Sequence, residues 1–180
     1  MSSPTADVSV RVAWADDAPA IGALQARAWR AAYAGLVPEA ALPDEDTAAG
    51  AWRASLLRPG DARNRVLVAL ERNRVVGFAA VGPASDPDCD PVADAELLEL
   101  VVDADERGKG HGSRLLAAVA ETMAADRFSR AVVWTIATDD ERRTFLTGAG
   151  WAPDTAHREL DLDGSGSTRV KQVRLHTSLA

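Results

Sequence analysis

A chain of 180 residues with 47% apolar and 26% charged side chains is long enough to bury roughly two-thirds of its unfolded surface within one domain. Its formal charge of −7 argues against a general binder of nucleic acid or anionic membrane, which rewards clustered Lys and Arg, and suits attraction of cationic amines. Cys89 is alone and cannot form an intramolecular disulfide, residues 1–7 lack the basic and apolar regions of a signal peptide, and no run approaches the ~18 apolar residues of a membrane span, so a cytoplasmic protein is expected.

Residues 1–7 read as a frayed start, and residues 8–12 alternate as a first strand. Asp16 or Asp17 can cap the next helix, with Pro19 in its first turn where a missing N–H costs little. Ile21, Leu24, Ala28, Trp29 and Ala32 form the buried stripe of that helix, and Gly35 stops it. Residues 44–57 read as a second helix with Trp52 and Leu56 inward, ended by Pro59-Gly60. Residues 65–71 and 75–81 form an antiparallel hairpin around Arg72-Asn73-Arg74, because Asn tolerates positive φ. Residues 83–91, rich in Pro and Asp, are too polar to pack and read either as an exposed connector or as an acidic lip over an entrance. Nothing basic lies near Cys89 in sequence.

The chain is organised around residues 96–123. An apolar, strand-like run from Glu96 to Val102 turns through Asp103-Ala104-Asp105-Glu106, passes Arg107-Gly108-Lys109-Gly110-His111-Gly112, and enters a helix in which Leu115, Leu116, Val119 and Met123 recur at helical spacing. Glycines let the main chain turn tightly and let a ligand approach it, and the first amides of a helix lack intrahelical acceptors. With Arg107, Lys109 and Arg114 close by, this is a cradle for an anion such as pyrophosphate. A dinucleotide fingerprint beginning at Gly108 would need glycine where Ser113 stands, and no nucleotide-triphosphate loop occurs. His111 has no evident carboxylate partner in its turn, and His111, His157 and His176 lie so far apart that no metal site is expected. Glu96 and Glu99 are costly in an apolar run unless each reaches water or a partner, and strand alternation points them to opposite sides.

Residues 132–136 read as another strand. Thr138-Asp139-Asp140-Glu141 fits a capping box opening a helix that carries Phe145, Leu146 and Ala149 inward and ends at Gly150. Residues 157–162 and 170–177 form a last hairpin around a Gly/Ser-rich loop, and those strands could pair between subunits as a homodimer. No repeat or boundary divides the chain, so residues 1–180 read as one domain with a mixed α/β sheet and helices on both faces.

Arg107, Gly110 and Gly112, placed between a strand and a helix, match Gln/Arg-x-x-Gly-x-Gly/Ala. The stretch Phe145-Leu146-Thr147-Gly148-Ala149-Gly150-Trp151 is similar to a closing Phe-Tyr-x-x-x-Gly-Phe. With residues 29–38, these resemble the GNAT superfamily of N-acetyltransferases. The resemblance implies a GNAT-like, mostly antiparallel central sheet with splayed fourth and fifth strands. It also implies acetyl-CoA as cofactor and CoA as product, with direct acetyl transfer to a primary amine of a small molecule or peptide. It places the diphosphate on the turn from Arg107 through Gly108, Lys109, Gly110, His111, Gly112 and Ser113 to Arg114. The pantetheine arm would run along Leu100, Val101 and Val102, with Asp139 and Phe145 beside it.

The acceptor must attack as a neutral amine, and with a lysine-like pKa only about one molecule in 2,500 is neutral at pH 7, a handicap of roughly 4.6 kcal/mol. Glu96, at a spacing where the family carries a catalytic glutamate, is the first candidate base and Glu99 its rival. Leu146 stands where many members carry a proton-donating tyrosine, leaving Tyr33 or water to serve, or the thiolate to leave unassisted, since a thiol pKa near 8.5 makes it a fair leaving group. The same departure motivates the alternative of a non-catalytic acyl-CoA sensor.

Overall fold

The structure, a computed structural model, describes residues 7–179, so all but the last residue of the expected frayed start lies outside the described residues. Along the chain run β1 (Val8–Val12), α1 (Ala18–Ala32), α2 (Glu45–Leu57), β2 (Arg65–Glu71), β3 (Arg74–Pro83), β4 (Asp94–Val102), α3 (His111–Ala125), β5 (Arg130–Ile136), α4 (Asp140–Gly148), β6 (Ala152–Asp161) and β7 (Arg169–Ser178). The strands form a seven-stranded sheet in the order β1-β2-β3-β4-β5-β7-β6. Every neighbouring pair is antiparallel except β4 and β5, which run parallel. The mixed α/β class and the succession of elements are those expected.

Helical stripes fix which face each helix covers. Leu115, Leu116, Val119 and Met123 of α3 join Leu146 of α4 in the larger core cluster. Ile21 and Leu24 of α1 bury against Val68, Phe78 and Val101 on the opposite face, with Trp52 and Leu56 of α2 packed alongside. Each such side chain contributes about 1.5–3 kcal/mol when fully buried, so the stripes hold the helices to the sheet.

Several local expectations differ from the observed structure. Ala32 and Ala149 are exposed, each at the C-terminal end of its helix. Asp17 occupies the cap position of α1, but its carboxylate accepts from the Trp14 amide at 2.7 Å and from Arg11 at 2.7 and 3.0 Å instead. The α4 cap is Asp139 rather than Thr138, since its carboxylate stands three residues before the Arg142 amide and accepts from it at 3.0 Å. Segment 83–91 is not a loose connector. Arg174, 5% exposed, ties it to β7 by donating to Asp86 at 3.0 Å and to Asp88 at 2.6 and 2.8 Å, and the Trp134 indole also donates to Asp86. Beside Arg174 the Asp88 carboxyl is held down at about 2. Arg174 and Arg130 lie 3.5 and 3.8 Å from the Cys89 sulfur, so basic groups do surround it, although burial is the main influence and pushes its thiol up.

Two irregularities in β4 shape the cleft beside it. Pairing with β3 slips at Leu98: Val81 lies opposite Leu97 and Ala80 opposite Glu99, leaving Leu98 without a partner. An extra residue in one strand resets the alternation of side chains. Leu97 and Leu100 therefore both face α3, while Val101 faces α1. Glu96 and Glu99 consequently share the α1 face, which corrects the expectation of opposite sides. Pairing with β5 is also short, covering only Asp94 to Leu97 against Arg130 to Val133. Beyond Leu97 the two strands part.

Candidate active site

The bend before α3 is built by glycines with left-handed backbones, Gly108 at φ 76° and Gly110 at φ 84°. Gly110 takes the N-cap position, and its carbonyl accepts the Arg114 amide at 3.1 Å, closing the first helical turn. The amides of His111, Gly112 and Ser113 consequently have no acceptor among the described residues. Three bare N–H groups at the positive end of a helix dipole attract an anion. They open on a cleft of about 440 Å³ whose walls include Arg107, Gly108, Gly110 and Ser113 from the bend, Leu100 and Val102 from β4, and Asp139 and Phe145 from the start of α4. Phe145 closes one side tightly: a Cβ on Gly112 would lie 3.3 Å from its ring.

Three expected cofactor contacts stand apart from the cleft wall. Lys109 is committed to Glu106 at 2.5 Å, and Arg114 donates to the Lys109 carbonyl at 3.2 Å. Val101 turns away, because Asp103 donates its amide to β3 at Val76 and the two-residue period of the strand aims residue 101 the same way. The backbone N–H and C=O groups of Leu100 and Val102 are left facing the gap toward β5. Arg107 is exposed, lines the cleft and makes no ion pair among the described residues.

His111 is 1% exposed, and its Nε2 lies 3.0 Å from Glu71 of β2, so it has the carboxylate partner that its own turn does not offer. Glu71, Glu106 and His111 bring ligand atoms within 4.8 Å of one another, but Glu106 is already shared between Arg74 and Lys109. Those two cations hold the Glu106 carboxyl down at about 2 from an ordinary 4.5. A depressed carboxyl stabilises the fold above its unfolded pKa and loses that contribution as pH falls toward the folded value. The difference in melting temperature between wild type and Glu106→Gln should therefore be full above pH 5 and shrink progressively as pH falls toward and through about 2, as read by thermal unfolding. A difference undiminished between pH 5 and pH 2 would show that the variant acts through packing.

On the α1 face, Trp52 donates its indole N–H to Gln25 Oε1 at 2.9 Å, and Gln25 passes its amide to Glu99 Oε1 at 3.1 Å. That relay fixes the Glu99 carboxylate where β4 leaves β5. Burial raises its pKa, opposed by the Gln25 bond, the Arg142 charge and the Trp29 side chain. Tyr33, the residue after α1, packs edge-on against Trp29 and feels both Glu99 and Arg142; burial, with Glu99 second, raises its hydroxyl pKa and keeps it protonated. Glu96 is 7% exposed and also raised, chiefly by burial and then by Asp86, with Arg158 and Arg174 opposing. Its neighbours are thus the 83–91 segment, β6 and β7, and none of Glu96, Glu99 and Tyr33 is among the residues that line the cleft itself.

Arg142 is absent from the sequence-based set. Its Nη1 donates to the Leu100 carbonyl at 2.8 Å, and its side chain lines the cleft with Glu106 and Glu141, which the sequence also did not single out. A charged residue at the third helical position is ordinarily solvated, so the sequence carried no signal for it.

The acetyltransferase (GNAT) family model matches residues 23–147. Similar solved structures include a ribosomal-protein-alanine N-acetyltransferase from Brucella melitensis, 22% identical at TM-score 0.73, covering 94% of this chain and 99% of that one. The PaiA N-acetyltransferase from Thermoplasma acidophilum, in complex with coenzyme A, is 15% identical at TM-score 0.71, with 99% of each chain covered. The yncA protein of Salmonella typhimurium, with its cofactor acetyl-CoA, is 17% identical at TM-score 0.71, covering 97% of this chain and 95% of that one. No match was found among curated proteins.

Proposed function

Because the chain belongs to the GNAT acetyltransferase family, we propose that it moves an acetyl group from acetyl-CoA to a primary amine of a small molecule or peptide by direct attack. One observation carries this reading: three unpartnered helix-start amides open on a cleft whose floor is the unpaired edge of β4, with Glu99 on the strand beside it. The residues fit the cofactor. The amides of His111, Gly112 and Ser113, with Arg107, bind the diphosphate, and the Leu100 amide and the backbone groups of Val102 orient the arm along β4, the Leu100 carbonyl being taken by Arg142. Acetyl-CoA supplies an activated acyl group as a thioester.

Glu99 accepts the proton of the incoming ammonium, directly or through one water, which releases the nitrogen lone pair for attack. Its Oε1 is held by Gln25, with the Trp29 side chain alongside, so the carboxylate is aimed before the amine arrives. Tyr33 and Trp29 wall the acceptor side, and the overall charge of −7 draws cationic amines toward it. Glu96, embedded among Asp86, Arg158 and Arg174, orders the neighbouring segment instead.

Calorimetry with acetyl-CoA, desulfo-CoA and NAD, followed by thiol-release assays on a panel of amines, tests the reading. Affinity for the two CoA compounds and turnover on at least one amine are expected. Tight NAD binding without CoA binding would remove it, and CoA binding without turnover on any amine would mark a sensor instead.

A further inference from the structure

α4 begins where β4 and β5 part, and the Asp139 cap fixes its first turn by accepting the Arg142 amide. From that position the Arg142 side chain crosses the gap to the Leu100 carbonyl at 2.8 Å and lines the same cleft as the glycine bend. No other hydrogen bond or ion pair holds its guanidinium among the described residues. A guanidinium has five N–H donors in a planar fork, so most of them are open to the cleft. Glu99 and Tyr33 are within electrostatic reach of it.

One helical turn further, on the same side of α4, Leu146 is fully buried against α3 and presents no polar atom. The reaction nevertheless develops negative charge on sulfur as the C–S bond breaks. A part-buried cation with unused donors is costly unless an anion meets it at some stage.

Resting on the acetyl-CoA reading above, we propose that Arg142 stabilises the departing CoA thiolate, the task that Leu146 cannot perform. Glu99 passes the ammonium's first proton on to water. The amine lone pair then forms the N–C bond, the C–S electron pair passes to sulfur, and the second proton leaves nitrogen for the re-ionised Glu99. Burial lowers the Arg142 pKa, with Glu99 opposing, but a guanidinium keeps its charge in proteins, so Arg142 gives up no proton. The thiolate takes a proton from water after release. Arg142 thus acts as a preorganised positive charge, and Tyr33, a neutral hydroxyl nearby, is the competing donor.

The test reads the cofactor's sulfur and does not depend on turnover. The thiol of CoA bound to wild type, Arg142→Met, Arg142→Lys and Tyr33→Phe is titrated through its thiolate ultraviolet absorbance, with desulfo-CoA affinity measured first by calorimetry. Arg142→Met keeps the apolar bulk and should raise the bound thiol pKa by about one unit, Arg142→Lys should recover part of that shift, and desulfo-CoA affinity should change less than about threefold. Single-turnover acetyl transfer should fall in parallel, roughly 10- to 100-fold for Arg142→Met. Identical thiol titrations in wild type and Arg142→Met would overturn the inference, as would a shift produced only by Tyr33→Phe. Wild-type protein that binds neither CoA nor desulfo-CoA would overturn the proposed function itself, and the inference with it.

Discussion

Gly110→Val is expected to lower affinity for acetyl-CoA roughly 100-fold while leaving the sheet folded. Gly110 sits at φ 84° and ψ 5°, a backbone conformation that a β-branched L-residue reaches only at a cost of about 1–2 kcal/mol or more. The obstacle is not neighbouring protein, since a Cβ there would meet nothing nearer than the Arg114 guanidinium at 3.4 Å. Relaxation to negative φ would instead swing the Gly110 carbonyl off the Arg114 amide and turn the His111 and Gly112 N–H groups away from the cleft. Losing two hydrogen bonds to a charged diphosphate, at about 1.5 kcal/mol each, corresponds to the roughly 100-fold change. Gly164→Val supplies the control: Gly164 has φ 71° in the β6–β7 loop with nothing within 4 Å, so it carries similar strain outside the cleft. It should lose comparable stability in thermal unfolding yet keep its affinity. Unchanged calorimetric affinity in a folded Gly110→Val variant would remove the bend from phosphate binding.

The parts of this site legible in the sequence are those whose physics is local. Gly108, Gly110 and the helical stripe from Leu115 to Met123 declare a bend opening a helix, because left-handed φ and a period of 3.6 are properties of a few consecutive residues. What the sequence hides comes from pairing across distance. The slip at Leu98 depends on how β3 meets β4, and it alone moves Glu96 and Glu99 onto one face. Glu71 reaches His111 across 40 residues, Gln25 reaches Glu99 across 74, and Arg174 locks the 83–91 segment across 86 and 88. A polar segment is expected to remain in solvent until its charges find a buried partner, and no local pattern announces that partner. Arg142 is a case of its own. Its position on α4 could be placed from sequence, but the gap that draws it inward exists only because β5 stops pairing after Leu97.

Glu99→Gln should reduce turnover at neutral pH about 100-fold or more with little change in acetyl-CoA affinity, the span over which a positioned general base typically acts. Gln is nearly isosteric, and its side-chain oxygen can still accept from Gln25, whose orientation is set by the Trp52 indole. The relay should survive and the variant should fold. The pH dependence carries the sign of the argument. Burial raises the Glu99 pKa, so the wild-type rate should climb along an acid limb lying above the ordinary carboxylate range and then level as Glu99 becomes fully ionised. In Glu99→Gln that limb should vanish. The residual rate should rise about tenfold per pH unit toward the pKa of the amine itself, because only the rare neutral acceptor can then attack. A wild-type profile reproduced in full by Glu99→Gln, but lost in Glu96→Gln, would transfer the role to Glu96. The two glutamates lie three residues apart on one face of one strand, and the slip at Leu98 is what makes them rivals for the same proton.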